Sequence, residues 1–242
     1  MLAVETKTNF QNPEVSLEAW LSEIEARWQT IPEFQVDSEK LRHLAIICDG
    51  NRRTAQERGL NPYLGHRAGV EVIKGIVRAT RDWNIRTLTF WVWSTENWAR
   101  EREQVDFVMG LAEKFLPPPK EFLEELKEHE VKFTHLGRKD RLPPPVLKTL
   151  EDFIQGRFNP EIFKTAPQVI LGFLDTANQV LPDLVIRTGV KKGEIPHTSG
   201  FMPLQTAYSG WIFLPDLFPN LTPQSLLSSI QDFLEYERRF GR

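Results

Sequence analysis

Asp49, Gly50, Asn51, Arg52 and Arg53 follow one another without a break in the stretch CDGNRRTAQERG. A glycine lets backbone amides come close to a ligand. Two guanidinium groups offer forked, charge-assisted hydrogen bonds that match phosphate oxygens. Asp49 would repel such an anion unless a divalent cation stood between them, and magnesium commonly bridges one or two carboxylates and substrate phosphates. The pattern suits a diphosphate held together with a metal ion. The same letters also spell a turn followed by solvated arginines, and the loop alone leaves both readings open.

Two further stretches bear on the choice. STENWARE brings Ser94, Glu96, Asn97, Trp98 and Arg100 directly after an apolar run, adding a guanidinium and several hydrogen-bonding groups. Read more plainly, STEN is a helix cap with a packing tryptophan behind it. DLVIRTG then places Arg187 at the end of another apolar run, and HTSG offers His197 and Ser199, residue types that alone are more often structural. His66, in LGHRAG, falls at an expected helix start, where the backbone favours anions. His43, His129 and His135 carry no site signal.

The elements that would position these residues are read from periodicity. HLAII, TLTFWVWS, VKFTHLG and DLVI predict strands, TLTFWVWS a central one covered on both sides. GHRAGVEVIKGIVRATRDWNI predicts a helix with Val72, Ile73, Ile76, Val77 and Thr80 on one face, and REQVDFVMGLAEKFL and EFLEELKEHE predict two more. Alternating strands and helices give an α/β fold, a single domain with a mostly parallel central sheet flanked by helices. In such folds ligands gather at the carboxyl ends of the strands. DGNRR, STENWARE and RTGVKK all lie there. Residues 1–40 read as an N-terminal helical extension in which Trp20, Leu21, Ile24 and Trp28 recur at helical spacing, and residues 41–242 as the body.

Composition narrows the class. Thirty basic against thirty-three acidic side chains give a formal charge of -3, so no global positive field calls for nucleic acid, and any anion site must be local. The single cysteine, Cys48, cannot form an internal disulfide, and MLAVETKTNF lacks a signal-peptide pattern. No run approaches the roughly 20 apolar residues that span a bilayer. A cytoplasmic protein is expected, with peripheral membrane contact left open. Neither G-x-x-x-x-G-K-[ST], G-x-G-x-x-G nor G-x-S-x-G occurs, which speaks against a nucleotide enzyme or a covalent hydrolase.

HLAIICDGNRRTA with GHRAG, LTFWVWSTENWAR, DLVIRTG, AYSGWIFLPDLFPNLT and the ending ERRFGR occur in the order seen in the cis-prenyltransferases, the undecaprenyl diphosphate synthase family, which the chain resembles over residues 41–242. The resemblance implies elongation of an allylic diphosphate by isopentenyl diphosphate with a new cis double bond, and a hydrophobic tunnel. Helix 104–116 would line the tunnel with Phe107, Val108, Met109, Leu111 and Phe115, although each taken singly reads as core. Asp49 would be the essential acid and the Mg2+ contact. Gly50, Asn51, Arg52, Arg53, Thr54, His66 and Arg100 would surround the allylic diphosphate. Asn97 matches the position often assigned to proton removal, with Ser94, Thr95, Glu96 and Trp98 around it. Arg187 and Ser199 match positions that hold the isopentenyl diphosphate group. A homodimer is implied, the tail with Arg239 and Gly241 reaching the neighbouring site.

Five features depart from the family pattern. Pro62 stands where an arginine precedes GH, and His197 where an arginine precedes the serine, with Lys191 or Lys192 as substitutes. Gly210 replaces a metal-binding glutamate. The NYGGR segment is missing, leaving only a short connection into DLVI. Trp91, Val92 and Trp93 replace tyrosine, alanine and phenylalanine, so the pocket end is expected to be narrower and the product short or irregularly joined. Three functions compete: an active prenyltransferase, a catalytically silent partner subunit, and an enzyme that ionises or cyclises a prenyl diphosphate.

Overall fold

A computed structural model describes residues 13–115, 119–155 and 179–236. Four short strands form one sheet: β1 (His43–Ile47), β2 (Thr87–Trp91), β3 (Leu184–Arg187) and β4 (Gly210–Phe213). Their order is β2-β1-β3-β4, and every pairing is parallel. The helices are α1 (Pro13–Arg27), α2 (Asn51–Glu57), α3 (Leu64–Asp82), α4 (Arg102–Phe115), α5 (Lys120–Glu128), α6 (Pro144–Gln155) and α7 (Pro223–Glu235).

Strand side chains alternate between faces, and the two faces meet different partners. Leu44, Ile46, Leu184 and Ile186 pack into the main core with Trp20, Ile24 and Trp28 of the N-terminal segment, Val72 and Ile76 of α3, and Ile230 of α7. Ala45, Ile47 and Val185 face the other way, onto a small cluster with Phe201, Trp91 and Trp211. Phe201 belongs to the connection between β3 and β4, residues 188–209, which crosses the sheet without a helix. Trp28 lies so close to Gly75 that a Cβ there would run into its ring. α7 starts with a reciprocal cap, the Ser225 amide donating to Thr222 Oγ1 at 3.0 Å, and Pro223 at its first position.

The expected strands within HLAII, TLTFWVWS and DLVI all form, as do the three expected helices. β2, expected to be central, is instead an edge strand of the described sheet, and its five residues are partly exposed. Residues 131–137 are not among the four paired strands. The strand GWIF, which alternation did not single out, closes the sheet as β4. PQVILGFLDT and the tail ERRFGR, from Glu237 onward, lie outside the described residues. No described helix is long and apolar enough to cross a membrane.

Candidate diphosphate site

The site begins where β1 ends. Gly50 has φ 105, a left-handed conformation that other residues rarely adopt, and a Cβ there would meet Leu217 at 2.8 Å. The Asp49 backbone is fixed from the segments that follow β3 and β4. Its amide donates to Thr188 Oγ1 at 3.1 Å, while its carbonyl accepts from Thr188 Oγ1 at 2.8 Å and from the Phe218 amide at 2.9 Å. Asn51 and Thr54, expected at the ligand, are used inside the loop: Asn51 Nδ2 donates to Cys48 O at 2.9 Å and Thr54 Oγ1 to Gly50 O at 3.0 Å.

The Asp49 carboxylate is held by two arginines. Arg53 Nη2 donates to Oδ1 at 3.1 Å, and Arg187 Nη2 donates to Oδ2 at 3.0 Å. Arg187, with only 9% of its side chain exposed, also donates through Nη1 to Ser199 Oγ at 2.6 Å and to the His197 carbonyl. The Nδ1 atom of His197 lies 3.0 Å from both Arg187 Nη1 and Ser199 Oγ. Ser199 carries φ 53, a conformation uncommon outside glycine that clusters at functional sites. His197 and Ser199, read from sequence as lone polar residues, therefore belong to one constellation with Asp49.

Neighbouring residues of a helix point about 100° apart, so Arg52 and Arg53 serve different sides of α2. Arg52 donates to Gln104 Oε1 of α4 at 3.1 Å and lies 5.9 Å from the centre of the Tyr63 ring. Arg100 lies 5.8 Å from the centre of the Trp93 ring. Its guanidinium is pushed down from the usual arginine range, first by partial loss of solvent and then by the positive charge of Arg52, while Asp49 pulls it back up. His66 is pushed down to about 4 by burial first, then by Arg100 and Arg52. Neither Arg52 nor Arg100 has an ion-pair partner among the described residues. Two cations that repel each other beside a neutral imidazole, neither in an ion pair among the described residues, make a place for an anion. The buried atoms His66 Nε2, Trp93 Nε1 and Gln104 Nε2 also lack hydrogen-bond partners among the described residues. Each can donate to an acceptor-rich group.

Other expected residues take a supporting role. Asn97 Oδ1 accepts the Ser94 amide at 3.0 Å, capping the 3-10 helix Thr95–Ala99. Thr95 and Glu96 are exposed, and the Glu96 carboxyl is held below its usual range first by the Ser94 hydroxyl. Trp98 meets Trp93 edge-on at 5.7 Å. Trp91 stacks on Phe201 and Val92 is exposed, so the bulky replacements lie at the carboxyl end of β2, beside Arg100. Gln104, Thr188 and Gly189 were not anticipated. Gly189, with φ 76, leaves no room for a side chain: a Cβ there would meet Arg53 Nη2 at 2.5 Å.

Gly210 is not near Asp49. It pairs with Leu184 at the amino end of the sheet, whereas Arg187, which holds Asp49, pairs with Phe213 at the carboxyl end. The separation along the strand is roughly 10 Å at ~3.3 Å per residue. A Cβ at position 210 would meet the Phe233 ring at 2.8 Å. Glycine here is explained by packing, and it removes nothing from the Asp49 constellation within one chain. Among the described residues no three His, Cys, Asp or Glu side chains gather as a metal cage. One half-exposed carboxylate facing an anion site nevertheless fits magnesium bound jointly with substrate phosphates.

The family model for undecaprenyl diphosphate synthase matches residues 47–163 and 155–241. An isoprenyl transferase of Agrobacterium fabrum is 31% identical, the match covering 82% of this chain and 91% of that protein. An isoprenyl transferase of Bacillus cereus is 32% identical over 82% of this chain and 87% of the other. Among solved structures, lavandulyl diphosphate synthase from Lavandula x intermedia in complex with dimethylallyl diphosphate superposes with a TM-score of 0.72. It is 26% identical, and the match covers 85% of this chain and all of that one.

Proposed function

Because this chain belongs to the undecaprenyl diphosphate synthase family, whose relatives here are prenyl-transferring enzymes, we propose that it condenses an allylic diphosphate with isopentenyl diphosphate by cis addition and releases a short or irregularly joined product. The observation that carries this reading is the meeting of Arg52, Arg100 and His66 on one side of Asp49 with Arg53, Arg187 and Ser199 on the other. Two diphosphates can be accommodated by two groups of donors. Dimethylallyl diphosphate in the solved lavandulyl diphosphate synthase supports an allylic substrate for the first group.

Cleavage of the allylic carbon–oxygen bond leaves negative charge on the departing diphosphate. Arg52 and Arg100, lacking carboxylate partners among the described residues, are placed to stabilise that charge as it develops. Neutral His66 adds a donor without adding charge. Arg187, Ser199 and His197 orient the second diphosphate. Asn97 has its Oδ1 engaged by the Ser94 amide, so its NH2 group, without a partner among the described residues, would orient the proton acceptor rather than act as the base. Asp49 would hold Mg2+ together with phosphate oxygens, and the ion when bound supplies Lewis-acid stabilisation of the leaving group. A homodimer, on family resemblance, and a cytoplasmic setting, as the sequence leads one to expect, complete the proposal.

The test is incubation of the purified protein with dimethylallyl, geranyl or farnesyl diphosphate, with and without isopentenyl diphosphate, followed by mass spectrometry. A product one or a few five-carbon units longer than its starter is expected. A long polyprenyl product overturns the short-chain part. Products formed from the allylic substrate alone identify an ionising or cyclising enzyme, and no turnover of any pair identifies a silent subunit.

A further inference from the structure

α1 lies ahead of the residues that the family model matches, yet it grips the segment carrying Asp49 from two directions. On one side stands the 3-10 turn Phe218–Asn220. The Phe218 amide donates to Asp49 O at 2.9 Å, and the Leu217 side chain before it fills the space that a Cβ at Gly50 would need. The position of this turn therefore sets the position of the Asp49 backbone. Within the turn Asn220 donates to Leu217 O at 2.7 Å and Leu221 to Phe218 O at 3.1 Å, while Pro219 O and Leu221 O accept from Arg27 Nη1 of α1 at 3.0 and 3.4 Å. A guanidinium on the last carbonyls of a helical turn pairs a cation with the negative end of the peptide dipoles. Only 19% of the Arg27 side chain is exposed, so it is a held strut and not a solvated charge.

The other direction is α2, which begins just after Gly50, carries Arg52 and Arg53 in its first turn and ends against Arg58. Arg58 Nη2 donates to Glu23 Oε1 at 3.0 Å, and its guanidinium lies 4.9 Å from the centre of the buried Trp20 ring. The same Glu23 oxygen accepts from Arg27 Nη2 at 2.9 Å. One carboxylate on α1 thus joins the arginine that holds the turn to the arginine that closes α2. Partly exposed ion pairs add little to stability. What they supply here is direction, because each guanidinium is fixed between the shared acceptor and a second partner.

We propose that Arg27 and Arg58, coupled by Glu23, are positioning residues for prenyl transfer. α1 is a clasp that closes on both flanks of Asp49 and keeps its backbone and α2 in one arrangement, so that the carboxylate and the arginines of this segment meet the diphosphates already aligned. The three side chains act through Phe218 and α2 and not on substrate. The inference rests on the prenyltransferase reading and extends it to residues outside the site.

The test joins steady-state kinetics on dimethylallyl and isopentenyl diphosphates to hydrogen exchange, read by mass spectrometry on peptides spanning residues 48–58 and 216–222. Both are run on the full chain and on its Arg27→Met, Arg27→Lys, Glu23→Gln and Ile230→Val variants. In Arg27→Met, kcat is expected to fall about 10-fold with each KM within about twofold, less than the ~10²-fold cost of a 1 Å misplacement, and both peptides should exchange faster. Arg27→Lys keeps a donor for Pro219 O and should regain most of both. Glu23→Gln keeps an acceptor but loses the charge, and should quicken exchange in both peptides together. Ile230→Val, which trims the core face of α7, should lower the melting temperature and leave both readouts near wild type. Unchanged exchange and kcat in Arg27→Met overturn the clasp, as does an equal fall of kcat in Ile230→Val, which would reduce α1 to packing. A wild-type chain that makes no prenyl product overturns the prenyltransferase reading, and the exchange rates of the Arg27 and Glu23 variants then decide the clasp by themselves.

Discussion

Arg187, at the carboxyl end of β3, holds Oδ2 of Asp49, just past the carboxyl end of β1, at 3.0 Å. The acid that sequence placed beside the arginines of its own loop is thus also held from a strand 138 positions away. Both of its oxygens bear a guanidinium partner, and the partners differ in burial.

Replacing Asp49 by Asn removes the negative charge from between Arg53 and Arg187. Turnover is expected to fall by ~10²–10³-fold, the scale of losing one electrostatic contact to the reacting group. Stability should change by only about 1 kcal/mol, because the carboxylate is partly exposed. Steady-state kinetics and a thermal melt check both, and an unchanged rate would remove Asp49 from the chemistry.

Gln104 anchors Arg52 across two helices. Gln104→Ala is expected to raise KM for the allylic diphosphate ~10-fold while kcat stays within a few-fold, since one hydrogen bond to a charged group is worth about 1.5–3 kcal/mol. Gln104→Glu should restore much of the loss by keeping an acceptor. Loss of kcat at unchanged KM would argue against a positioning role.

His66 is depressed from an ordinary value of 6.5 to about 4. Between these values the unfolded chain binds a proton that the folded chain refuses, so stability falls as pH falls from 6.5 toward 4 and is fully present above 6.5. At about 1.4 kcal/mol per pKa unit, the loss across the window is roughly 3 kcal/mol. Denaturant titrations at stepped pH should show this slope, and His66→Gln should flatten it. Some slope will remain, because burial also depresses His43.

Gly210→Glu offers a check on the sheet register. If position 210 faced the Asp49 site, a new carboxylate would strengthen metal-dependent turnover. The register predicts no gain, and a loss of about 1–3 kcal/mol in stability as the side chain displaces Phe233. Melting temperature and the magnesium dependence of the rate decide between these outcomes.

Asp49, Arg52 and Arg53 were legible because a charged loop following an apolar run is a local pattern, and the α3 face through Val72 and Ile76 was legible from its period. Gln104 and Thr188 were not, since their roles depend on partners 52 and 139 residues away, and no spacing rule spans such distances. The level of Gly210 in the sheet follows from register against β3, which side-chain composition does not encode. Asn51 and Thr54 stand among the expected ligand contacts, yet both side chains satisfy backbone carbonyls of their own turn.

α3 carries His66 in its first turn, and Gly75 lies farther along beneath the Trp28 ring. The helix works as a beam clamped near its middle, so tightness at the clamp sets how firmly the imidazole end is held. Changes made at the amino-terminal segment, far from any phosphate, therefore have a mechanical route to the rate of bond cleavage.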